Sequence, residues 1–159
     1  MPKLEKYHPI LTPNYTFDWL TKTKVKDLFT LLQQTQPSSK ATTLSIADET
    51  NQTMRDIFHD KKLIWGITDR KSNQFIGQAG FDPLDLTNQT GTLTVTLLPD
   101  YQQLTVLTEI YDRLVSFAGH ELGLTTLTTV QSQPNPALIK LLTKLNFKEI
   151  TDNTFTLKF

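Results

Sequence analysis

The sequence predicts an α/β domain, one mixed and mainly antiparallel sheet with helices on both faces, in the order β-α-α-β-β-β-α-β-α-β-β. Three observations carry this. Between residues 63 and 98 three short segments alternate apolar and polar residues and are separated by polar turns, which reads as an antiparallel meander. The longest helical stripe, Leu104, Leu107, Ile110, Tyr111, Leu114 and Phe117, then lies between two β-rich segments, so it forms a crossover. Two further helical stripes precede the meander and one follows the crossover.

Taken in order, residues 1–13 read as an N-terminal arm, because Pro2, Pro9 and Pro13 interrupt any regular element. Residues 15–20 alternate aromatic and polar side chains and form a first strand. A first helix starts at Thr21 or Thr23, with Val25, Leu28, Phe29 and Leu32 on one face, and ends at Gln36 and Pro37. A second helix runs from about Ala47 to Asp60, burying Met54, Ile57 and Phe58. Residues 63–68 and 74–81 are a hairpin around the turn 69–73. A second turn region, 82–91, leads into residues 92–98, where Leu93, Val95 and Leu97 share one face. Residues 124–130, rich in Thr with a terminal Val, favour a strand over a helix. Asn135-Pro136 opens a last helix with Leu138, Leu141, Leu142 and Leu145 inward, since proline suits a first helical turn. Two closing strands flank the turn at Asp152 and Asn153. No repeat or linker divides the 159 residues, which fits a single domain over the whole chain.

Composition narrows the function. Hydrophobic residues make up 38% of the chain, with nine Phe and two Trp, enough for a packed core and against a disordered chain. Sixteen basic residues balance sixteen acidic ones, so nothing in the net charge attracts nucleic acid or an acidic membrane. The absence of cysteine excludes disulfides, thiolate catalysis and Cys-ligated zinc. No apolar run approaches the roughly 18–20 residues of a membrane helix. Lys3, Glu5 and Lys6 stand where a signal peptide would be apolar, so a cytoplasmic location is expected.

Two phrases carry a resemblance. Residues 135–147, Asn-Pro-Ala-Leu-Ile-Lys-Leu-Leu-Thr-Lys-Leu-Asn-Phe, parallel N-x-x-S-x-x-L-L-x-K-L-G-F without a gap. Residues 98–109, from Leu98-Pro-Asp-Tyr to Thr108-Glu109, parallel L-x-P-x-Y-x-x-x-G-x-A-T-E. Both resemble the GCN5-related N-acetyltransferases (GNAT), nearest the subgroup similar to ribosomal-protein N-terminal acetyltransferases. The order of elements is similar over nearly the whole chain, with a weaker match at residues 17–32 that includes Asp27.

The resemblance implies transfer of an acetyl group from acetyl-CoA to a primary amine, a protein N-terminus or a small amine, by direct attack. It places the pantetheine arm along the strand end at Leu97 and Leu98. It places the pyrophosphate at the loop and first helical turn, Gln103, Thr105, Val106, Leu107 and Thr108, with Asn135 across the gap. The physics is general: a helix N-terminus offers unpaired N–H groups and partial positive charge to an anion, and a free strand edge can pair with an extended ligand. Backbone N–H groups near Leu97 would polarise the thioester carbonyl. The acceptor cleft falls between the first two helices and the sheet, where Phe29, Trp65 and Phe81 are candidates, although side chains of this kind are more often core. The catalytic residue is unassigned, since Leu138 and Leu142 occupy the positions where relatives carry Ser or Tyr, and no metal is implied. Together with Thr105 and Leu107 at glycine-like positions, these residues also define a second reading, a GNAT-fold binding or regulatory module without transfer activity.

Other constellations read as structural. Asp112, Ser116 and His120 recur every fourth residue, but no nucleophile elbow accompanies them, and a polar helix stripe explains them. His8, His59 and His120 lack the spacing of metal ligands. Asp82-Pro83 reads as a turn opener before it reads as a base. Lys61 and Lys62 read as solvated surface, and Gly77 and Gly80 as packing positions in a strand.

Overall fold

The computed structural model describes residues 3–131 and 135–159. A single eight-stranded sheet has the order β1-β2-β3-β4-β5-β6-β8-β7, with strands β1 (Ile10–Leu11), β2 (Tyr15–Trp19), β3 (Leu63–Asp69), β4 (Phe75–Asp85), β5 (Thr90–Leu97), β6 (Thr126–Val130), β7 (Lys148–Thr151) and β8 (Thr154–Lys158). All neighbours are antiparallel except β5 and β6, which pair in parallel across helix α3 (Leu104–His120). Helices α1 (Val25–Thr35) and α2 (Thr43–Phe58) precede β3, and α4 (Pro136–Lys144) precedes β7. The expected mixed sheet and its crossover are both present.

Alternation along β3 divides the packing. Leu63, Trp65 and Ile67 enter the main core with Ile110, Leu114 and Phe117 of α3 and Leu138, Leu141 and Leu142 of α4. Ile64 points to the other face, where it packs with Leu28 of α1 and Ile46 of α2. Adjacent residues thus serve opposite helical layers, as a pleated strand requires. Aromatic rings fill the main core: Trp65 meets Phe117 edge-on with centroids 5.3 Å apart, and Phe81 stacks on Phe117 at 6.1 Å.

Several boundaries differ from expectation for local reasons. The N-terminal segment is docked rather than loose: Leu4 is buried, Ile10 and Leu11 pair with β2, and the Trp65 indole N–H donates to the Tyr7 carbonyl at 2.7 Å. Helix α2 begins four residues before Ala47, because Thr42 and Ser45 form a reciprocal capping box. Serine in place of the usual Glu or Gln hid that signal. Strand β4 continues through Asp82-Pro83 to Asp85, where a turn was expected; the register shifts between Phe81 and Leu84, and a bulge tolerates a proline. Asn146, at φ 74°, takes the left-handed helix end that asparagine accommodates.

Glu109 on α3 fastens the N-terminal segment. Its carboxylate accepts from the Thr12 hydroxyl, from the Asn14 backbone N–H at 2.8 Å and from the Asn14 amide at 2.7 Å. Partial burial pushes the carboxyl up, but these donors together outweigh it and hold the group below the ordinary glutamate value. A depressed carboxylate stabilises the fold above its unfolded pKa, and that contribution is lost as pH falls through the folded value. Glu109→Ala should therefore cost about 1–2 kcal/mol at neutral pH. In urea titrations the gap between the two proteins should narrow below about pH 4.

Candidate functional site

The site begins where two parallel strands part. Strand β5 pairs with β4 along its length, up to Gly77 opposite Leu97. With β6 it pairs only at Thr90, Gly91 and Thr92. Beyond that the Thr129 hydroxyl donates to the Leu93 carbonyl at 3.1 Å, and the strands diverge. The Leu98 N–H faces β4, donating to the Ile76 carbonyl at 2.8 Å, whereas the Leu97 carbonyl faces the gap and accepts from the Gln102 amide at 2.9 Å. The two-residue period of a strand then turns the Val95 N–H and C=O and the Leu97 N–H into the gap, where no strand among the described residues pairs with them.

Divergence opens a cleft of about 730 Å³. Residues 93–97 form one wall, and Gln102, Leu107, Tyr111, Gln131, Asn135 and Leu138 complete it. The N-terminus of α3 stands beside it. Gln103, its N-cap, supplies no side-chain cap, and the Leu107 N–H makes the first backbone bond of the helix, to the Gln103 carbonyl. Helix α2 is capped by Thr42 and α4 by Asn135, whereas α1, like α3, has no side-chain cap. An uncapped 17-residue helix keeps its first N–H groups and partial positive charge for an anion.

The expected cofactor residues fall into groups. Leu97, Leu107 and Asn135 line the cleft. Leu98 lies next to it but turns its N–H to Ile76. Gln103, Thr105 and Thr108 are exposed on the first turn of α3; the Gln103 amide donates to the Asp100 carbonyl and the Thr108 hydroxyl to the Leu104 carbonyl. Val106 is buried in the main core, so only its backbone can face a ligand there. Asn135 caps α4 by accepting from the Ala137 N–H at 2.8 Å, a structural duty beside its place at the cleft. Leu138 lines the cleft, whereas Leu142 is wholly buried in the core.

Tyr111, Gln102 and Gln131 escaped the sequence reading. Tyr111 falls one turn beyond Leu107 on the apolar stripe, so periodicity marks it as core. Burial pushes its hydroxyl up to about 12, partly opposed by the Gln131 side chain, and it stays protonated at any physiological pH.

A second cleft of about 240 Å³ lies between α1, α2 and the sheet, the place expected for an acceptor. It shares Thr35, Thr94 and Thr96 with the first, so the two meet at the threonine face of β5. The aromatic candidates do not line it. Trp65 and Phe81 are fully buried in the main core on the opposite face of the sheet, and Phe29 packs against the smaller core. Their alternation along β3 and β4 decides this: Ile64 and Gln78 face the cleft, and Trp65 and Phe81 turn away.

Elsewhere Ser116 and His120 approach to 3.2 Å on exposed α3, with Asp112 outside that contact. Lys62 is not merely solvated: its ammonium lies 3.6 Å from Asp56 and 3.5 Å from Asp82. Among the described residues no three His, Asp or Glu side chains gather as a metal site, and no helix is long and apolar enough to cross a membrane.

Comparisons with known proteins agree with this geometry. The profile described as "Acetyltransferase (GNAT) domain" matches residues 14–148. The uncharacterized N-acetyltransferase YoaA of Bacillus subtilis (strain 168) is 27% identical over 99 residues, which is 62% of this chain and 56% of that protein. Among solved structures, the microcin C7 self-immunity acetyltransferase MccE, in complex with acetyl-CoA and AMP, superposes with TM-score 0.75 at 16% identity, over 93% of this chain and 94% of that one. The ribosomal L7/L12 alpha-N-protein acetyltransferase RimL gives 0.77 at 9% identity, over 94% and 93%. The ribosomal-protein-S5-alanine acetyltransferase of Vibrio fischeri gives 0.71 at 12%, over 94% and 96%. At such identities the superpositions speak for the fold. The profile match spans most of the chain and includes both the splayed strands and the crossover helix, and by it this protein belongs to the GNAT acetyltransferase family.

Proposed function

We propose that the protein transfers an acetyl group from acetyl-CoA to a primary amine, with the pantetheine arm laid along the free edge of β5. The observation that carries this reading is the backbone of Val95 and the Leu97 N–H, left without a strand partner among the described residues where the larger cleft meets the smaller one. MccE, which shares the fold, was solved with acetyl-CoA bound, and the other two structural relatives named above are described as acetyltransferases of ribosomal proteins.

Acetyl-CoA supplies an activated thioester: its carbonyl carbon forms a bond to the amine nitrogen, the carbon–sulfur bond breaks, and the nitrogen loses a proton as the thiol gains one. The chain's part is mainly positioning, which can itself supply several kcal/mol. The Val95 N–H and C=O offer strand-like pairing to an amide-bearing arm. The Leu97 N–H is placed to donate to a carbonyl oxygen at the mouth of the second cleft. The first N–H groups of α3 receive phosphate, with no Lys or Arg between residues 98 and 112 to assist. Tyr111 acts as a neutral hydrogen-bond donor to the leaving sulfur. With its hydroxyl raised to about 12, full proton transfer to a thiolate is uphill, so it steadies the charge without giving up the proton.

A module without transfer activity is the second reading, suggested by Thr105 and Leu107 together with Leu138 and Leu142. The first turn weakens its basis: Thr105 is exposed and Leu107 lies against the core, so neither removes the backbone donors at the helix start.

Two measurements test the proposal. Calorimetry should give acetyl-CoA binding in the micromolar range, and Val95→Pro, which removes a cleft-facing donor while leaving the β4 pairing, should weaken it at least tenfold with the circular dichroism unchanged. Undiminished affinity in that variant, or no heat from the parent at millimolar ligand, would overturn the arrangement. Tyr111→Phe should lower kcat roughly tenfold to a hundredfold, with acetyl-CoA affinity held within about threefold.

A further inference from the structure

We infer that Gln131 is a positioning residue, which turns the hydrogen of the Tyr111 hydroxyl into the larger cleft and is itself held by Thr129 where β5 and β6 part. This rests on the transferase reading above. It adds to that reading the reason why Tyr111 has a hydrogen to offer a ligand.

The chain of hydrogen bonds begins at the last contact between the two strands. Thr129 is buried, and its hydroxyl oxygen lies 3.1 Å from the Leu93 carbonyl oxygen. A carbonyl only accepts, so the one hydroxyl hydrogen of Thr129 is committed there and its oxygen is left as an acceptor. The Gln131 side chain meets that oxygen at 3.0 Å. Only its NH2 group can do so, because its carbonyl would face an oxygen with no hydrogen to give. The network itself thus decides which way the amide points.

The same NH2 group carries a second hydrogen. Gln131 and Tyr111 both line the larger cleft, and the Gln131 side chain hydrogen-bonds the Tyr111 hydroxyl. Burial pushes that hydroxyl up, and the Gln131 contact pulls the other way, as a donor to the phenolic oxygen does. Tyr111 therefore accepts from Gln131, and its own hydrogen has no acceptor among the described residues. A hydroxyl that accepts from a fixed neighbour must aim its hydrogen elsewhere, and the cleft is the open side. Without Gln131 the hydroxyl would turn about its C–O bond and take its direction from water.

The backbone of Gln131 is anchored separately, since its N–H donates to the Asn153 carbonyl at 2.8 Å. The end of β6 therefore does not depend on the side chain, and the two roles can be told apart.

The test uses the full chain, acetyl-CoA and thiol release as the signal. Hydroxylamine serves as the amine, because it is small enough to need no acceptor pocket. Gln131→Met, which keeps the length and removes both N–H groups, should lower kcat about three- to tenfold with KM for acetyl-CoA within twofold. In a Tyr111→Phe background the same substitution should change kcat by less than twofold, because no hydroxyl is left to orient. Thr129→Val should lower kcat to a similar extent, and Thr129→Ser should recover most of the loss. If circular dichroism shows Thr129→Val misfolded, the Gln131 comparison decides alone. An unchanged kcat in Gln131→Met, or an equal loss with and without the Tyr111 hydroxyl, overturns the inference and leaves acetyl transfer standing. Failure of the parent to speed thiol release above the protein-free rate overturns the transferase reading and this inference with it.

Discussion

The molecule depends on a hydrogen-bond ladder that stops. Strands β5 and β6 run in parallel for three residue pairs and then part, and the cleft proposed for the cofactor lies in the opening. Unpaired strand backbone is normally a liability, because buried N–H and C=O groups without partners are costly. Here the divergence is supported from both sides. The Thr129 hydroxyl closes the last approach on the β6 side. On the other side β5 stays locked to β4, and Gly77 permits that close pairing: a Cβ there would collide with the Thr96 carbonyl oxygen. Gln102 satisfies the Leu97 carbonyl, so one exposed acceptor already has a partner while the neighbouring donors remain for a ligand.

Rigidity around the opening comes from the unequal cores. The main core holds Trp65, Phe81, Phe117 and the apolar faces of α3 and α4, and large aromatic contacts of this kind fix the sheet against those helices. Among the described residues the smaller core under α1 and α2 has Leu20, Leu28, Ile46 and Ile64 as its buried members. The cofactor cleft thus lies against the better-packed layer and the acceptor cleft against the lighter one. A scaffold of this form keeps the strand edge fixed and leaves the acceptor side as the layer in which fewer apolar contacts must be broken to adjust.

Charge is distributed to the same effect. The chain is neutral overall, and the larger cleft offers an anion backbone dipoles, with no Lys or Arg among its described lining residues. At the smaller cleft Lys62 is one cation between two carboxylates, 3.6 Å from Asp56 and 3.5 Å from Asp82. Glu109 is spent on holding Thr12 and Asn14. That contact also gives the Glu109 of the family-like phrase at residues 98–109 a physical role in this chain: it ties the crossover helix to the segment entering β2.

The sequence by itself determined the order of the elements, the meander, the crossover and the resemblance that pointed to acetyl transfer, because hydrophobic period and turn residues are local properties. The resemblance, not local pattern, carried the expectation of an opening between the first two helices and the sheet, and the smaller cleft lies there. Local signals with an unusual residue were read less well: Ser45 in a capping box concealed the start of α2, and Pro83 suggested a turn where β4 continues through a bulge. Only the tertiary structure decided which residues face the openings. Trp65 and Phe81 look like cleft aromatics until strand alternation turns them into the core and turns Ile64 and Gln78 toward the cleft. Tyr111 looks like core until the gap beside β5 makes it a wall. The point at which β5 leaves β6 depends on pairing between residues 36 positions apart, Thr92 opposite Thr128, and no local window of sequence contains both partners.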